Sequence, residues 1–262
     1  MKEITSPSNP EVKALVGLRE RRERERQGRF IIEGTRELTT ALTAGVKLTR
    51  LYRCPALLRP EAAALIKAVP PEVVQIEVAP AVFAKISYRD NPDGLLAVAE
   101  RRASPLSTLQ LPSDALVLVL DGLEKPGNLG AIIRTADGAG LDAVLLSGSG
   151  TDLENPNVIR ASLGTVFSRS VIEADGAALL AWLRTQGFRL IAATPHAGAS
   201  YWDADFTGQV AIVLGAEHAG LSPAWLAAAE IKVSIPMRGL ADSLNVATAG
   251  ALLIYEALRQ RR

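Results

Sequence analysis

The sequence contains very few of the residues that build disulfides and metal centres. Its 262 residues include one cysteine, Cys54, and two histidines, His196 and His218. A lone cysteine cannot form an internal disulfide, and two histidines beside it are too few for a zinc-ligand cluster. We therefore expect neither a disulfide framework nor a metal site.

Long apolar runs are also missing. No uninterrupted apolar stretch approaches the ~18 residues that a membrane-spanning helix needs. The N-terminal region is polar and rich in arginine and glutamate, and it lacks the apolar core of a signal peptide. These features predict a globular protein that resides in the cytoplasm.

Several common catalytic motifs are absent as well. The nearest match to the dinucleotide-binding pattern G-x-G-x-x-G is "GAGLDA" at 138–143, which lies between a helix and the strand after it, the wrong order. There is no G-x-x-x-x-G-K-[ST], no G-x-S-x-G and no H-E-x-x-H. These absences argue against dehydrogenase chemistry, nucleotide hydrolysis, and serine or zinc hydrolysis.

Charge is distributed unevenly although the net charge is only +1. Residues 1–113 hold 18 lysines and arginines against 13 acidic residues, whereas 114–262 hold 11 against 15. A basic first part is typical of a module that contacts a polyanion, and an ordinary solvated surface is the alternative interpretation.

A composition change marks a domain boundary. The stretch "RRASPLSTLQLPSD" at 101–114 has the proline, serine and threonine content of a linker. We predict a first domain at 1–105, a linker at 106–113 and a second domain at 114–262. Short strand patterns alternate with helical patterns at 34–45 and 60–69 in the first part, which predicts a small α/β domain; the strands are "RFIIEG", "LTRLYRC", "VVQIEV" and "GLLAVAE".

The second part contains strand patterns without polar alternation. Such strands are buried on both faces, which predicts a parallel sheet covered by helices. We expect helices at 128–139, 155–167, 176–187 and 243–258. Ligand sites in such sheets lie in the loops at the carboxyl ends of the strands, which are here "ALVLVLDG", "AVLLSG", "RLIAATP" and "QVAIVLGAE".

Three of these loops combine turn residues with polar side chains. They are "KPGNLGAIIRTADGAG" at 125–140, "IVLGAEHAGLS" at 212–222 and "IPMRGLADSLNVATAG" at 235–250. Together they resemble the three motifs of the SpoU (TrmH-like) branch of the SPOUT methyltransferases. The opening "SPSNPEVKALVGLRERRERERQGRFIIEG" resembles the ribosomal-protein-like substrate-binding domain of that family, so the resemblance extends over nearly the whole chain.

The resemblance implies a specific fold, cofactor and set of partners. The fold is α/β, with a small N-terminal domain and a C-terminal parallel-sheet domain whose chain forms a deep trefoil knot. The activity is methyl transfer from S-adenosyl-L-methionine to a ribose 2′-hydroxyl of RNA, with ribosomal RNA favoured over tRNA. The family also assembles as homodimers through the knot region.

Five polar residues in the motif loops match the active-site positions of the family. Arg134 is the proposed participant in activating the ribose hydroxyl, but arginine does not deprotonate in proteins, so a phosphate clamp and electrostatic stabiliser is physically easier. A helix-capping role for Asn128 or Ser243 and a plain surface position for Arg134 are the structural alternatives. The predicted catalytic residues are Asn128, Arg134, Glu217, Ser243 and Asn245.

A second set of residues matches the cofactor positions of the family. Gly215 would allow close approach of the backbone to a ligand, and the apolar side chains would back the adenine. Ordinary core packing is the alternative for Ile235, Met237 and Leu244. The predicted cofactor-binding residues are Thr194, Gly215, Ile235, Met237 and Leu244.

The C-terminal helix carries no charge between Asp242 and Glu256. A helix that is apolar on all faces must be buried on all faces, and its own sheet can cover only one side. The other side is predicted to pack against a second copy, while the final "RQRR" reaches solvent. The basic segment at 18–29, "LRERRERERQGR", is predicted to be a helix with internal ion pairs or an RNA-backbone contact.

Three functions remain open besides the leading one. The same scaffold could serve as a non-catalytic RNA-binding or ribosome-assembly protein, as a tRNA 2′-O-methyltransferase, or as a knotted methyltransferase acting on a base nitrogen. The complete set of five polar motif residues favours the enzyme, and "DSLNVATAG" resembles the ribose-directed branch. We interpret His196 and His218 as loop residues, because the family pattern does not require histidine there.

Overall fold

The computed structural model describes residues 2–101, 104–148, 150–168 and 170–262. The chain divides into two compact units. The first contains Met1–Ala103 and Asp152–Ser168, and the second contains Ser104–Thr151 and Arg169–Arg262. The boundary near 104 lies within the linker-like composition, whereas the transfer of 152–168 to the first unit was not expected from the sequence.

The first unit is built on a mixed five-stranded sheet of order β1-β4-β3-β5-β2, in which β5 runs antiparallel to both its neighbours. Helices α1 to α5 accompany these strands, and their amphipathic patterns bury Leu38 and Phe83. The strands are β1 (Lys2–Ile4), β2 (Arg29–Glu33), β3 (Leu48–Arg53), β4 (Val74–Val78) and β5 (Leu95–Glu100). The helices are α1 (Pro10–Gly17), α2 (Arg21–Gln27), α3 (Thr35–Thr43), α4 (Ala62–Ala68) and α5 (Pro80–Ile86).

The predicted helix at 155–167 is interrupted. Helix α7 (Pro156–Ala161) ends after six residues, and a single 3-10 turn follows at Thr165–Phe167. The break falls where Leu163 and Gly164 adopt left-handed backbone angles, φ 54° and 83°, which an α-helix cannot contain. The segment packs on the first unit, with α7 against β2 and the ring of Phe167 5.9 Å from that of Phe30.

The second unit contains seven strands in the order β10-β12-β9-β11-β6-β7-β8, and every neighbouring pair is parallel. This confirms the α/β class with a parallel sheet. The strands not singled out from the sequence are the short or polar ones, β8, β10 and β12. The strands are β6 (Leu116–Asp121), β7 (Ala143–Ser147), β8 (Ser170–Ala174), β9 (Arg189–Ala193), β10 (Ala199–Ser200), β11 (Val210–Gly215) and β12 (Ile231–Ser234).

Four helices cover this sheet. They are α6 (Pro126–Ala139), α8 (Gly176–Thr185), α9 (Pro223–Ala228) and α10 (Val246–Gln260). Helix α10 packs beside α6 and over β11, and Gly250 permits the close approach. A Cβ at that position would lie 3.1 Å from Leu214 Cδ1. Within the described ranges, no helix is both long and apolar enough to cross a membrane.

At the end of α10, Arg259 and Arg262 are exposed, as expected from the sequence, whereas Arg261 is half-buried. Arg259 forms an ion pair with Glu256 at 2.7 Å. Arg261 donates to the carbonyl oxygens of Phe206 and Asp114, at 2.9 and 2.7 Å, and burial lowers the pKa of its guanidinium. Arg261 therefore fastens the C-terminus to the amino-terminal edge of the sheet.

Candidate active site

The loops that carry the motif residues follow four adjacent strands, β12, β9, β11 and β6. Because parallel strands share one direction, their carboxyl ends meet at one edge of the sheet. Strand order therefore brings together segments that are more than 100 residues apart in the sequence.

Three of the five predicted catalytic residues form a hydrogen-bonded row, which we call the amide network (Asn245, Asn128 and Glu217). The Asn245 side-chain amide donates to Asn128 Oδ1 at 3.2 Å. The Asn128 amide in turn donates to Glu217 Oε1 in a short hydrogen bond. The network joins one residue from each motif loop and fixes both ends of the Asn128 amide.

Asn128 does not cap its helix, contrary to the sequence-based expectation. Helix α6 begins two residues earlier, with Lys125 as its N-cap and Pro126 at the first helical position. Proline is favoured there because its fixed φ suits the first turn and its missing N–H would have no partner in the helix. Asn128 consequently lies in the first turn, with its side chain free to reach Glu217.

Ser243 does not cap α10 either. Asn245 is the N-cap, and its Oδ1 accepts the backbone N–H of Ala247 at 2.9 Å. The helix therefore begins at 246 rather than 243. The Ser243 side chain is exposed and donates to Asp242 Oδ1 at 3.3 Å, so it lies outside the amide network.

Arg134 lies on α6, six residues beyond Asn128 and about one and two-thirds turns along the helix. Its side chain is exposed and forms no hydrogen bond or ion pair with any described residue. The structure does not bring Arg134 into the amide network. A guanidinium in this state is available to an anion without the loss of a protein contact.

The predicted cofactor residues surround the same edge. Thr194 directly follows β9, Gly215 ends β11, and Ile235 directly follows β12. These positions are half-buried, as is Met237, whereas Leu244 is 37% exposed. The apolar side chains therefore line a partly open surface and are not ordinary core.

The backbone at Gly215 closely approaches another part of the same chain, whereas the approach of a ligand that the sequence suggested stays a prediction. A Cβ there would lie 2.2 Å from the carbonyl carbon of Gly220, because the chain folds back after β11. The backbone N–H groups and carbonyls of Ala216 and Gly220 pair with each other, at 3.1 and 3.0 Å. The close contact is therefore with the protein's own chain, and any side chain at 215 would displace it.

The sequence motifs did not single out Asp121, which ends β6 beside Gly215 in the register of the sheet. Its carboxylate accepts the Ser147 hydroxyl at 2.9 Å and the Ser222 backbone N–H at 3.0 Å. The available signal was a carboxylate at the end of an otherwise apolar strand, just before a motif loop.

The two histidines lie in exposed loop positions at this edge, as interpreted from the sequence. The backbone N–H of His196 points to Thr194 Oγ1 at 3.4 Å. His218 lies at the tip of the hairpin formed by Ala216 and Gly220. Neither side chain forms a hydrogen bond or ion pair with a residue that the structure describes.

The arginines of the basic segment have different roles in the first unit. Arg24 is 2% exposed, and its guanidinium binds Asp152 Oδ2 at 2.7 Å. Arg19 donates to the carbonyl oxygens of Lys85 and Ser87 and lies over the Tyr88 ring. These two arginines are structural and are not available to RNA.

The remaining arginines of this segment are exposed. Arg21 pairs with Glu25 and Arg26 with Glu23, which confirms the predicted ion pairs along the helix. Arg22 and Arg29 are exposed, and no ion pair joins either of them to another residue in the described ranges. They are the cations of this segment that remain free to contact a polyanion.

The chain belongs to the SpoU rRNA Methylase family, whose model matches residues 115–255. Residues 9–97 match the MRM3-like substrate binding domain. Both matches confirm the resemblance inferred from the motif loops and from the opening of the sequence.

Individual proteins show the same similarity over almost the whole chain. A 23S rRNA (uridine(2479)-2′-O)-methyltransferase from Streptomyces viridochromogenes is 34% identical, with 95% of this chain and 88% of that protein covered. An RNA 2′-O ribose methyltransferase crystal structure is 48% identical, with a TM-score of 0.89 and 98% of each chain covered. An AdoMet-bound rRNA methyltransferase from Sinorhizobium meliloti has a TM-score of 0.90 at 33% identity, with 98% of this chain and 97% of that chain covered.

Proposed function

We propose that this protein is an S-adenosylmethionine-dependent methyltransferase that methylates a ribose 2′-hydroxyl in ribosomal RNA. The observation that carries the proposal is the amide network, which joins one polar residue from each of the three motif loops. The matched family and the rRNA 2′-O-methyltransferases among its relatives support the substrate class. An rRNA substrate would place the protein in the cytoplasm.

The residues at the sheet edge fit S-adenosylmethionine. Half-buried Ile235 and Met237 and the exposed Leu244 offer apolar surface to an adenine ring, and Thr194 adds a hydroxyl beside them. Gly215 ends β11 at the same edge of the sheet, and we assign its backbone as a further contact of the cofactor. The cofactor supplies an electrophilic methyl group, so the protein has to align the attacking hydroxyl and assist the loss of its proton.

The polar residues divide these tasks. Glu217 holds the Asn128 amide from one side and Asn245 holds it from the other, so the amide presents a fixed dipole at the edge of the sheet. Arg134, exposed and unpaired among the described residues, binds the phosphate next to the target ribose and stabilises the developing oxyanion. Ser243, also exposed, contacts the RNA beside the amide network.

We also propose a homodimer formed through α10. The inward residues of this helix are buried against α6 and β11, whereas Leu252 and Tyr255 on the outward face are 38% and 52% exposed. A second copy would cover this outward face. The trefoil knot implied by the family resemblance remains a prediction for this chain.

The test of function is nucleoside mass spectrometry combined with methyl transfer by the purified protein. We expect transfer of tritium from labelled S-adenosylmethionine to a 2′-O-methylated nucleoside of ribosomal RNA, and loss of that nucleoside in cells without the protein. The Asn128→Ala variant is expected to lose the transfer while it retains the fold. Labelled tRNA instead of rRNA would establish the tRNA alternative, and a methylated base would establish the base-nitrogen alternative. RNA binding without transfer to any RNA would leave the non-catalytic alternative.

A further inference from the structure

The loop that presents Glu217 is held at its base by a carboxylate outside the motif residues. This Glu217 loop (residues 216–222) connects β11 to α9. Asp121 ends the neighbouring strand β6 opposite Gly215, the residue just before the loop. Its Oδ2 accepts the backbone N–H of Ser222 at 3.0 Å. Asp121 is therefore in register with one end of the loop and hydrogen-bonded to the other.

The other carboxylate oxygen reaches the same connection indirectly. Asp121 Oδ1 accepts the hydroxyl of Ser147, which ends β7. The Ser147 Oγ also accepts the indole N–H of Trp225, a buried residue of α9, at 3.4 Å. Both oxygens of Asp121 thus restrain the chain that leaves the Glu217 loop.

The loop has few restraints of its own. The Ala216–Gly220 pairing makes a narrow hairpin, and Glu217, His218 and Ala219 form its tip. The hairpin folds back over Gly215. Its orientation therefore depends on where its two ends are fixed, and the second end is fixed by Asp121.

We propose that Asp121 is a positioning residue that holds Glu217 in hydrogen-bonding reach of Asn128 and so keeps the amide network assembled. The proposal rests on the proposed role of that network in methyl transfer. Asp121 contacts neither Asn128 nor Glu217 directly, and it acts through the backbone of the Glu217 loop. A displacement of about 1 Å at a reacting group can reduce a rate on the order of 100-fold, so a loose loop is sufficient to slow transfer.

The two simplest substitutions have opposite effects on these hydrogen bonds. Asp121→Ala removes the acceptors of the Ser222 N–H and the Ser147 hydroxyl. Asp121→Asn retains an oxygen for the Ser222 N–H and presents an amide donor to Ser147 Oγ, which can accept because a hydroxyl both donates and accepts. If Asp121 acts by hydrogen bonding, asparagine rescues the rate that alanine loses.

A matched control lies at the opposite end of the same strand. The Asp142 carboxylate accepts the backbone N–H of Leu116 at 2.8 Å, and the residue is half-buried like Asp121. Asp142→Ala removes a carboxylate-to-backbone hydrogen bond from β6 without a change at the Glu217 loop. Its single-turnover rate is expected to equal that of the wild type.

The first experiment is single-turnover methyl transfer at saturating RNA and cofactor. We expect Asp121→Ala to slow transfer by about 10- to 100-fold, Asp121→Asn to restore most of the rate, and Asp121→Ala to have no further effect in a Glu217→Ala background. An additive loss in the double variant, or equal losses in the alanine and asparagine variants, would overturn the positioning role. Full activity of Glu217→Ala would instead contradict the proposed role of the network.

The second experiment does not depend on activity. Hydrogen exchange followed by mass spectrometry should show faster exchange across residues 216–222 in Asp121→Ala than in Asp121→Asn or Asp142→Ala. Unchanged exchange in this loop would refute the proposal even if the enzyme had a different substrate.

Discussion

Two polar residues of one helix show how differently a motif can be used at the scale of single side chains. Asn128 has both ends of its amide bound within the protein, whereas Arg134 is exposed without a partner among the described residues. A residue such as Asn128, whose hydrogen bonds are made within the protein, is suited to orient the neighbouring residues of the site. A free guanidinium is suited to bind the substrate itself.

The Arg134→Ala substitution is the test of that division. We expect single-turnover transfer to slow on the order of 100-fold, because a charged contact that strengthens in the transition state is lost, while the Kd for cofactor stays nearly unchanged. Arg134→Lys should restore little, because an ammonium cannot reproduce the bidentate geometry of a guanidinium. Full activity of the alanine variant would transfer the activating role to Glu217 or to the RNA.

Substitutions at Leu244 test whether the predicted apolar residues bind the cofactor. Leu244→Arg should abolish binding of S-adenosylmethionine, because it introduces a charge among the apolar residues that follow β12. The control Leu244→Met keeps the apolar volume and should retain affinity. Calorimetry is expected to give about one cofactor per chain for the wild type, and heat of binding in Leu244→Arg would contradict the assignment.

At the scale of elements, α10 has two faces that its sequence does not distinguish. Val246, Leu253, Ile254 and Ala257 are buried within the chain. Ala249 and Ala251 are half-buried, so the outward surface is formed by larger residues, including Leu252 and Tyr255. A helix whose first ten residues, 246–255, carry no charge is thus only half covered by its own unit.

The proposed dimer predicts a clear effect at this face. Leu252→Glu should convert a dimer to a monomer, because it would place an unpaired charge in an apolar interface. Val74→Glu is the matched control, since Val74 is also an exposed apolar residue, on β4 of the first unit. Light scattering at micromolar concentration measures the mass, and a wild-type monomer would contradict the proposal.

The segment 152–168 is a second feature at the scale of secondary-structure elements. Arg24 and Asp152 form a buried ion pair with 2.7 Å between Nη2 and Oδ2, and this pair fastens the segment to the first unit. Arg24→Ala should lower the free energy of unfolding by about 3 kcal/mol, because it leaves a buried carboxylate unpaired. Arg26→Ala removes an exposed pair that water and salt screen, so it should leave the free energy of unfolding nearly unchanged. Urea titration measures the free energy of unfolding of both variants. An equal decrease in the two would contradict the claim that burial makes the Arg24–Asp152 pair more important than the exposed pair.

At the scale of the whole molecule, charge follows the two units. Assigning Asp152, Glu154 and Arg160 to the first unit changes its net charge from +5 to +4, so it remains the basic part of the chain. Few of its arginines are free, however, because Arg24 is buried and others are paired. The number of available cations is thus smaller than the composition suggests.

The number of cations that contact RNA can be measured from the salt dependence of RNA binding. Replacing both Arg22 and Arg29 with alanine should weaken binding and reduce the slope of log K against log salt by about 2, one for each phosphate contact. Lys67→Ala, which removes an exposed cation elsewhere in the first unit, should leave the slope unchanged. Equal slopes for the double variant and the wild type would exclude the basic segment as an RNA contact.

The sequence by itself determined the class of the fold, the family and the loops that form the site. Apolar runs such as "LVLVLD" predict a strand buried on both faces, and the polar residues that follow identify the functional edge. These features are local, because the burial of a strand and the chemistry of the next loop both depend on residues that are adjacent in the sequence.

Only the tertiary structure decided which of these residues meet. Strand order places Asn128 against Glu217 and Asn245, leaves Arg134 and Ser243 outside that network, and brings Asp121 to the base of the Glu217 loop. It also moves 152–168 to the first unit and buries Arg24 in the basic segment. Periodicity reports that a residue is buried but not what buries it, because partners more than 100 residues apart are selected by packing and not by local preference.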